Sequence, residues 1–462
     1  MRYIILFVFL IIGNQSLVYS QNTLSGKITN EKNQPLAGSH IHVAAFFANA
    51  DESGNYAITG IPNARLQVFI EYLGYKTLDT ILDFQGNSTL NVPLKPDVSQ
   101  LQEVVLKETF VKNKAQEIKT ATIEKYSSES LGDALKEISG VSSLKTGNTI
   151  VKPIINGLHS SRVLIINNNV RLEDQQWGAE HAPNMDVNTA GKISVIKGVN
   201  GLQFGGDAIG GTVVIDPPVI PIKDTIFGKT ILNGQSNGRG GSITSSLFKG
   251  YQSGWNWNLQ GTFKYLGDFE APGYVLSNTG NREKNFSGRL GYKGENQGFS
   301  FFYSYFNADI GILRASHISS TSDLIRAINS GEPQYISDFT HDINAPKQQL
   351  QHHLGKINYY KLFSNNRKLS LQYSFQFNNR LEFDLRRGDD KDRPSLDLDL
   401  KTHTLNADFE GNHADNFKYK VGINGGFQNN FADTENTNVR ALIPNYDKFD
   451  AGAYAIGNYT VN

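Results

Sequence analysis

The sequence predicts a mainly β chain: an N-terminal β-sandwich, an α+β domain, and an incomplete transmembrane antiparallel β-barrel. Three observations predict it. Short period-2 runs separated by turn residues fill 21–95, a helix followed by apolar strands and a glycine-rich stretch fills 127–217, and long aromatic-rich alternating runs fill 218–462.

The N-terminus reads as a signal peptide, residues 1–20. Arg2 gives the positive n-region, Tyr3 to Ile12 the apolar core, and Val18-Tyr19-Ser20 the residues before a cut at Gln21. The apolar run is shorter than the ~20 residues a spanning helix needs, so it predicts export and not an anchor. The chain has no cysteine, which removes disulfides and thiolate metal sites. Its net charge is +0, so no charge excess points to nucleic acid, and none is expected as a partner.

In the first domain, Leu24 to Ile28 alternates, Pro35-Leu36-Ala37-Gly38 turns, and Ile41 to Ala44 alternates again. Asp51 to Asn55 then feeds a strand through Ile58, and Leu66 to Tyr72 forms another. This segment resembles the carboxypeptidase regulatory-like β-sandwich, a scaffold or docking module. His40 and His42 share one strand face, but no third ligand lies nearby, which favours ordinary surface histidines.

The segment 96–126 is read as a linker. Within it, Glu103, Val104, Val105 and Leu106 favour an extended backbone, suited to adding a strand to another protein's sheet edge. In the next domain, Ser130 and Asp133 make a capping-box pattern, Leu131, Ala134, Leu135 and Ile138 repeat at helical spacing, and Gly140 ends the turn. Strands are expected at Ile150 to Ile155, Arg162 to Ile166, Ile193 to Ile196 and Thr212 to Ile215. Asn167-Asn168-Asn169 makes a tight turn, because asparagine tolerates a left-handed backbone.

The order of this run, with QWGAEHAP inside it and Ile196-Lys197-Gly198, Phe204-Gly205-Gly206 and Ala208 to Gly211 at its end, resembles the plug of a TonB-dependent outer-membrane receptor. Many relatives carry Arg-Gly where this chain has Asn156-Gly157, and Asp-Gly where it has Asn168-Asn169. Plug-to-barrel salt bridges built on that arginine are therefore not carried over. The resemblance implies that Glu103 to Leu106 is a TonB box, the alternative being an ordinary linking strand. It also implies a periplasmic N-terminal domain, and TonB with its inner-membrane energising complex and outer-membrane lipid as partners.

Gln175 to Pro183 lies where the family places apical loops, and it is similar to receptors for metal ions and metal chelates. On that resemblance the ligand-binding candidates are Gln176, Trp177, Glu180, His181 and Asp186, with Glu173 and Asp174 as further carboxylates. Imidazole and carboxylate suit zinc, iron or nickel more than soft copper(I). The alternative is that His181 and Trp177 only lock the loop against the barrel wall.

Beyond Pro217-Pro218, Trp255, Trp257, Leu259, Gly261, Phe263 and Tyr265 alternate with Asn256, Asn258, Gln260, Thr262 and Lys264, giving a lipid face and a lumen face. Similar runs occupy Phe286 to Tyr292, Phe299 to Phe306, Lys368 to Phe377, Thr404 to Glu410 and Phe417 to Phe427. The polar stretch Ala308 to Gln349 is expected as an extracellular loop, with Asp323 to Asn329 helical. His317 and His341 fall in that loop and His352 and His353 at its base. With His181 they form a candidate metal-capture set, set against the simpler reading of solvated loop histidines. A 22-stranded family barrel needs on the order of 440 residues, so the chain is expected to be an N-terminal fragment.

No enzyme is expected. Gly228-Lys229-Thr230 resembles the end of a P-loop, but the required earlier glycine position is Lys223. The expected function is import of a scarce nutrient, a metal ion or a metal chelate such as siderophore or haem, with no resident cofactor. A glycan or peptide importer, or a surface adhesion or signalling protein, is the alternative.

Overall fold

A computed structural model describes residues 22–459 apart from 45, 73–74, 96–115, 148, 175–180, 199–200, 202–203, 206, 317–319, 365 and 415–416. The chain forms two compact units, Met1–Lys112 and Asn113–Asn462. Glu103, Val104, Val105 and Leu106 lie outside the described residues, as do Gln176, Trp177, Glu180 and His317.

The first unit is a sandwich of short strands: β1 (Asn22–Asn30), β2 (His40–Val43), β3 (Phe46–Asn49), β4 (Asn55–Ile61), β5 (Ala64–Glu71), β6 (Leu78–Phe84), β7 (Ser88–Thr89) and β8 (Val92–Leu94). One sheet runs β4-β1-β7, with β8 also on β1, and the other runs β3-β2-β5-β6. Alternation decides which side chains enter the core. Ile41 and Val43 of β2 and Tyr56 and Ile58 of β4 are buried between exposed neighbours. The Asp51 turn is held by its own carboxylate, which accepts from the backbone N–H of Ser53 at 2.9 Å and of Asn55 at 2.8 Å. Gly54 sits there at φ +80, and a Cβ would meet the Ile28 carbonyl at 2.5 Å, so the turn requires glycine. His40 and His42 both lie on the exposed face of β2, with His40 against Asn49 at 2.7 Å.

In the second unit the plug contains β9 (Gln116–Lys119), β10 (Val141–Thr146), β11 (Ile150–Ile155), β12 (Val163–Asn167), β13 (Val170–Arg171), β14 (Lys192–Ile196) and β15 (Gly211–Asp216). Its mixed sheet runs β13-β12-β15-β14-β9, with β10 and β11 as a separate antiparallel pair. The segment expected as linker contributes β9 and the helix Thr120–Lys125, so the plug sheet starts before residue 127. A four-residue polar strand has too short a pattern to be read from sequence, and only its pairing with β14 reveals it.

The expected plug helix is present as Leu131–Ala134, tightening into a 3-10 turn at Leu135–Glu137. Ser130 caps it, accepting from the Asp133 N–H at 3.2 Å. The buried face of Leu131, Ala134, Leu135 and Ile138 packs with Ile155, Ile165, Val195 and Val213 into one core. Asp133 is buried beneath, where desolvation alone would raise its pKa. Lys136 at 2.6 Å, Lys145 at 2.9 Å and the Ser130 hydroxyl outweigh that and hold the carboxyl below its usual range. Asn168 and Asn169 adopt φ 51 and 62, the left-handed turn that their side chains tolerate.

The remaining strands are β16 (Thr225–Gln235), β17 (Gly240–Gly250), β18 (Trp255–Leu266), β19 (Phe269–Ala271), β20 (Tyr274–Leu276), β21 (Asn281–Lys293), β22 (Gln297–Gly311), β23 (Lys347–Phe363), β24 (Arg367–Phe383), β25 (Leu396–Ala414), β26 (Phe417–Ala432) and β27 (Tyr446–Tyr459). All but the β19–β20 hairpin form one antiparallel sheet of ten strands in sequence order. Among the described residues its first and last strands, β16 and β27, are each paired on one side only. On β18, Asn256, Asn258, Gln260, Thr262 and Lys264 are buried toward the plug, while Leu259 and Phe263 face outward. Polar residues inside and apolar ones outside invert a soluble protein's pattern and match a bilayer-spanning sheet. Trp255, Tyr292 and Phe299 cluster on that outer face with ring centroids 5.3 to 6.1 Å apart, near the ends of their strands. Aromatic girdles sit at such positions.

The connections divide by length. Those at 251–254 and 294–296 are short, whereas 267–280, 312–346, 384–395 and 433–445 are long and emerge at the opposite end, which also carries the short turn 236–239. The 312–346 connection carries the expected helix, Thr321–Ser330, capped by Ser320 and stopped by Gly331 in the left-handed region.

Candidate functional site

Plug and barrel meet along a row of lumen-facing side chains on β23 and β24. On a strand these recur every second residue, so Gln372, Gln376, Arg380 and Glu382 share one face. The plug climbs that face. Gln372 donates to the Asn169 carbonyl at 2.8 Å and Gln376 to the Arg171 carbonyl at 2.9 Å, and the Glu173 N–H donates back to Gln376 at 3.1 Å. From β23, Lys356 donates to the Asn168 carbonyl at 2.6 Å and to its side-chain oxygen at 2.9 Å. Backbone carbonyls at the asparagine turn thus take the place of charged plug partners. Gln428 of β26 adds a bond to Glu173 at 3.3 Å, and Gln260 of β18 holds Asp186 at 2.8 Å.

At the long-loop end the climb finishes with His181, whose Nε2 lies 2.8 Å from Glu382 Oε1. His181 is buried, and with Glu382 it borders an open cleft of about 410 Å³ whose lining includes Asp397, Asp433, Thr434 and Arg440. That volume falls in the range of small-ligand sites. Beneath the cleft lie three buried charged groups, Arg380 at 0% exposed, Lys152 of β11 at 1% and Asp174 at 2%, with the partly exposed Glu382 above them. Asp174 also accepts from the Asn184 N–H at 2.6 Å, fixing the plug segment after His181.

Burial holds the Lys152 ammonium down at about 8, with Arg380 pushing the same way and Asp174 opposing. The protonated form is therefore penalised in the folded plug. Below about pH 8 Lys152 is charged in both folded and unfolded chains and the penalty is complete. Between pH 8 and the ordinary value of 10.5 the folded chain binds fewer protons, so stability rises with pH in that window. Thermal unfolding of the detergent-solubilised protein should show this rise, and Lys152→Met should flatten it.

Two family models match by sequence. A TonB-dependent Receptor Plug Domain covers residues 109–212, and a CarboxypepD_reg-like domain covers residues 24–106. The solved structures similar to the chain include the copper transporter OprC, 15% identical over 74% of this chain and 52% of that one, with a TM-score of 0.55. The siderophore receptor PirA from Pseudomonas aeruginosa is 15% identical over 75% and 53%, at 0.51. The iron transporter FrpB from Neisseria meningitidis is 14% identical over 75% and 56%, at 0.59. The chain matches a TonB-dependent receptor with an N-terminal carboxypeptidase regulatory-like domain. It spans about half the length of the solved receptors it resembles. No curated protein matches it by sequence.

Placed on this receptor, the candidate residues separate. Asp186 is occupied structurally: it caps the short turn Val187–Thr189 by accepting from Asn188 N–H at 2.9 Å, and it binds Gln260. Glu173 accepts from Arg171 Nε at 2.9 Å as well as from Gln428. His352 and His353 lie within β23, well past the base of the loop, and strand alternation sends them to opposite faces. His352 is buried toward the lumen beside Asn378 at 3.2 Å, whereas His353 binds the Tyr303 hydroxyl at 2.8 Å on the outer wall between Tyr305 and Phe377. His341 stacks on Tyr265, with its Nε2 3.1 Å from the Arg239 carbonyl oxygen. The structure does not gather His181, His341, His352 and His353 into one ligand set. Among the described residues no group of three His, Asp or Glu side chains is arranged to hold a metal ion.

Sequence reasoning missed Arg380, Glu382, Gln376 and Lys356. Each belongs to a lumen-facing row, and the alternation Gln372, Ser374, Gln376, Asn378, Arg380, Glu382 was the available signal. A run of six inward polar residues, ending in two charges, marks a strand that faces something polar inside the barrel.

Proposed function

We propose that this chain belongs to an outer-membrane importer for a scarce metal, taken as an ion or a chelate, powered from the periplasm through TonB. The observation that carries the reading is the cleft at the long-loop end. Its floor is the plug residue His181, and its wall adds the carboxylates Glu382, Asp397 and Asp433. Because no three of these donors are arranged to hold a bare ion, they suit the polar periphery of a metal chelate. The names of the similar structures, a copper transporter, a siderophore receptor and an iron transporter, support the same class of cargo.

In this mechanism cargo enters from outside and settles between the loops and the plug apex. Binding there biases the segment Glu103 to Leu106 toward the periplasm, where an energised partner adds itself to the extended backbone and pulls. The plug then yields along its polar seam with the barrel. Hydrogen bonds from Gln372, Gln376 and Lys356 exchange for water as it moves, which makes such a seam easier to part than an apolar one.

The test is growth of a deletion strain on defined sources of iron, zinc, nickel, haem and siderophore chelates. The expected result is impaired growth on one source, restored by the full-length gene. Normal growth on all of them removes metal import.

A further inference from the structure

Below the cleft, two nitrogen donors compete for one carboxylate. Glu382 Oε1 lies 2.8 Å from His181 Nε2 and only grazes Arg380 Nη1 at 3.4 Å. Arg380 spends that same Nη1 on Gln348 Oε1 at 3.1 Å. Among the described residues its Nε and Nη2 atoms have no hydrogen-bond acceptor, although the side chain is 0% exposed. The Nε/Nη2 edge of a guanidinium is a fork shaped to hold a carboxylate through two parallel bonds. A buried charged donor left open is costly, and the nearest carboxylate on the same strand face is turned away toward the plug.

We infer that Arg380 is a positioning residue for plug release: it takes Glu382 from His181 when the plug apex withdraws. With the plug seated, His181 holds Glu382 and the Arg380 fork stands empty. Once His181 leaves, Glu382 turns onto Nε and Nη2, two residues away along β24. The withdrawn state thereby gains a bidentate ion pair that the seated state lacks. This offsets the loss of the His181 bond and keeps the barrel wall from recapturing the plug. The other charges facing the pair keep the balance close, since Asp174 and Lys152 sit on the plug side of the same cluster. Nothing else on β24 competes with His181 in this way. Gln372 and Gln376 hold plug backbone through neutral hydrogen bonds instead, and Gln376 also bonds His352 of β23.

The inference rests on the transport reading, and one experiment separates the two. These 462 residues contain no cysteine, so Asn184→Cys, in a full-length receptor with any other cysteine replaced by serine, gives a single thiol at a buried plug position just past His181. Its reaction with a membrane-impermeant maleimide is followed on whole cells carrying the full-length receptor, with and without a protonophore. Energised cells are expected to label faster than de-energised ones. Adding Arg380→Gln should slow energised labelling at least tenfold. Glu382→Gln should do the same, because it still accepts from His181 but cannot form the ion pair. Arg380→Lys, with charge but no fork, should recover only part of the rate. Heat-modifiable migration of each variant on a gel checks that the barrel has folded. If both glutamine variants label as fast as the parent, the Arg380 role is overturned while transport stands. If the parent shows no dependence on energisation, the transport reading falls as well.

Discussion

Val104→Pro is expected to abolish energised uptake while leaving ligand binding at the cell surface unchanged. The segment Glu103 to Leu106 serves, in this account, as an added strand, and most of its affinity comes from main-chain hydrogen bonds. Proline fixes φ and removes one ladder donor, leaving its acceptor unpaired at a cost of about 1–3 kcal/mol. That corresponds to roughly a 5- to 150-fold loss of partner affinity. Uptake and binding of one labelled ligand, measured on the same cells, should therefore diverge. Parallel loss of both would point to a misfolded receptor, and retention of both would remove the box from the mechanism.

The second large effect is expected from Gly132→Val. A Cβ at Gly132 would stand 2.6 Å from the Val151 carbonyl oxygen and 2.9 Å from both its carbonyl carbon and Cγ1. The obstruction is backbone of β11, which cannot swing aside as a side-chain tip can. The helix Leu131–Ala134 would have to lift off the strand, at a cost of about 3 kcal/mol or more for overpacking. Leu131 and Leu135 would leave the core with it. Cells carrying the variant should become permeable to large hydrophilic antibiotics, since the plug no longer seals its barrel. Gly355→Ala is the control, because nothing lies within 4 Å of the added methyl. Equal permeability in the two variants would contradict the packing argument.

The fold was legible where side-chain pattern alone decides structure. The Ser130 cap, the strand Ile150–Ile155, the asparagine turn and the two faces of β18 all follow from local rules, and each is found where expected. Strands β16 and β23 were harder, because Gly228, Gly234 and Gly355 interrupt their alternation. A strand flanked by lipid on one side and a polar plug on the other needs no continuous apolar signal. The site was legible only in part. His181 stood out because histidine is rare and lies in a distinctive loop, and the structure pairs it with Glu382. Its partner came from more than two hundred residues away, at the end of a strand whose register no local pattern specifies. The histidine pair His352-His353 misled for a simple reason. Adjacent residues on a strand face opposite ways, so only one of them can see the lumen.

Accumulation of a radiolabelled metal or metal chelate, in the form that supports growth, tests the central claim most directly. Cells carrying the full-length receptor are expected to concentrate the label above the external level. A protonophore should reduce this to the small amount bound at the surface. If the label never exceeds that surface amount, or if its accumulation is indifferent to the protonophore, the chain does not serve an energised importer.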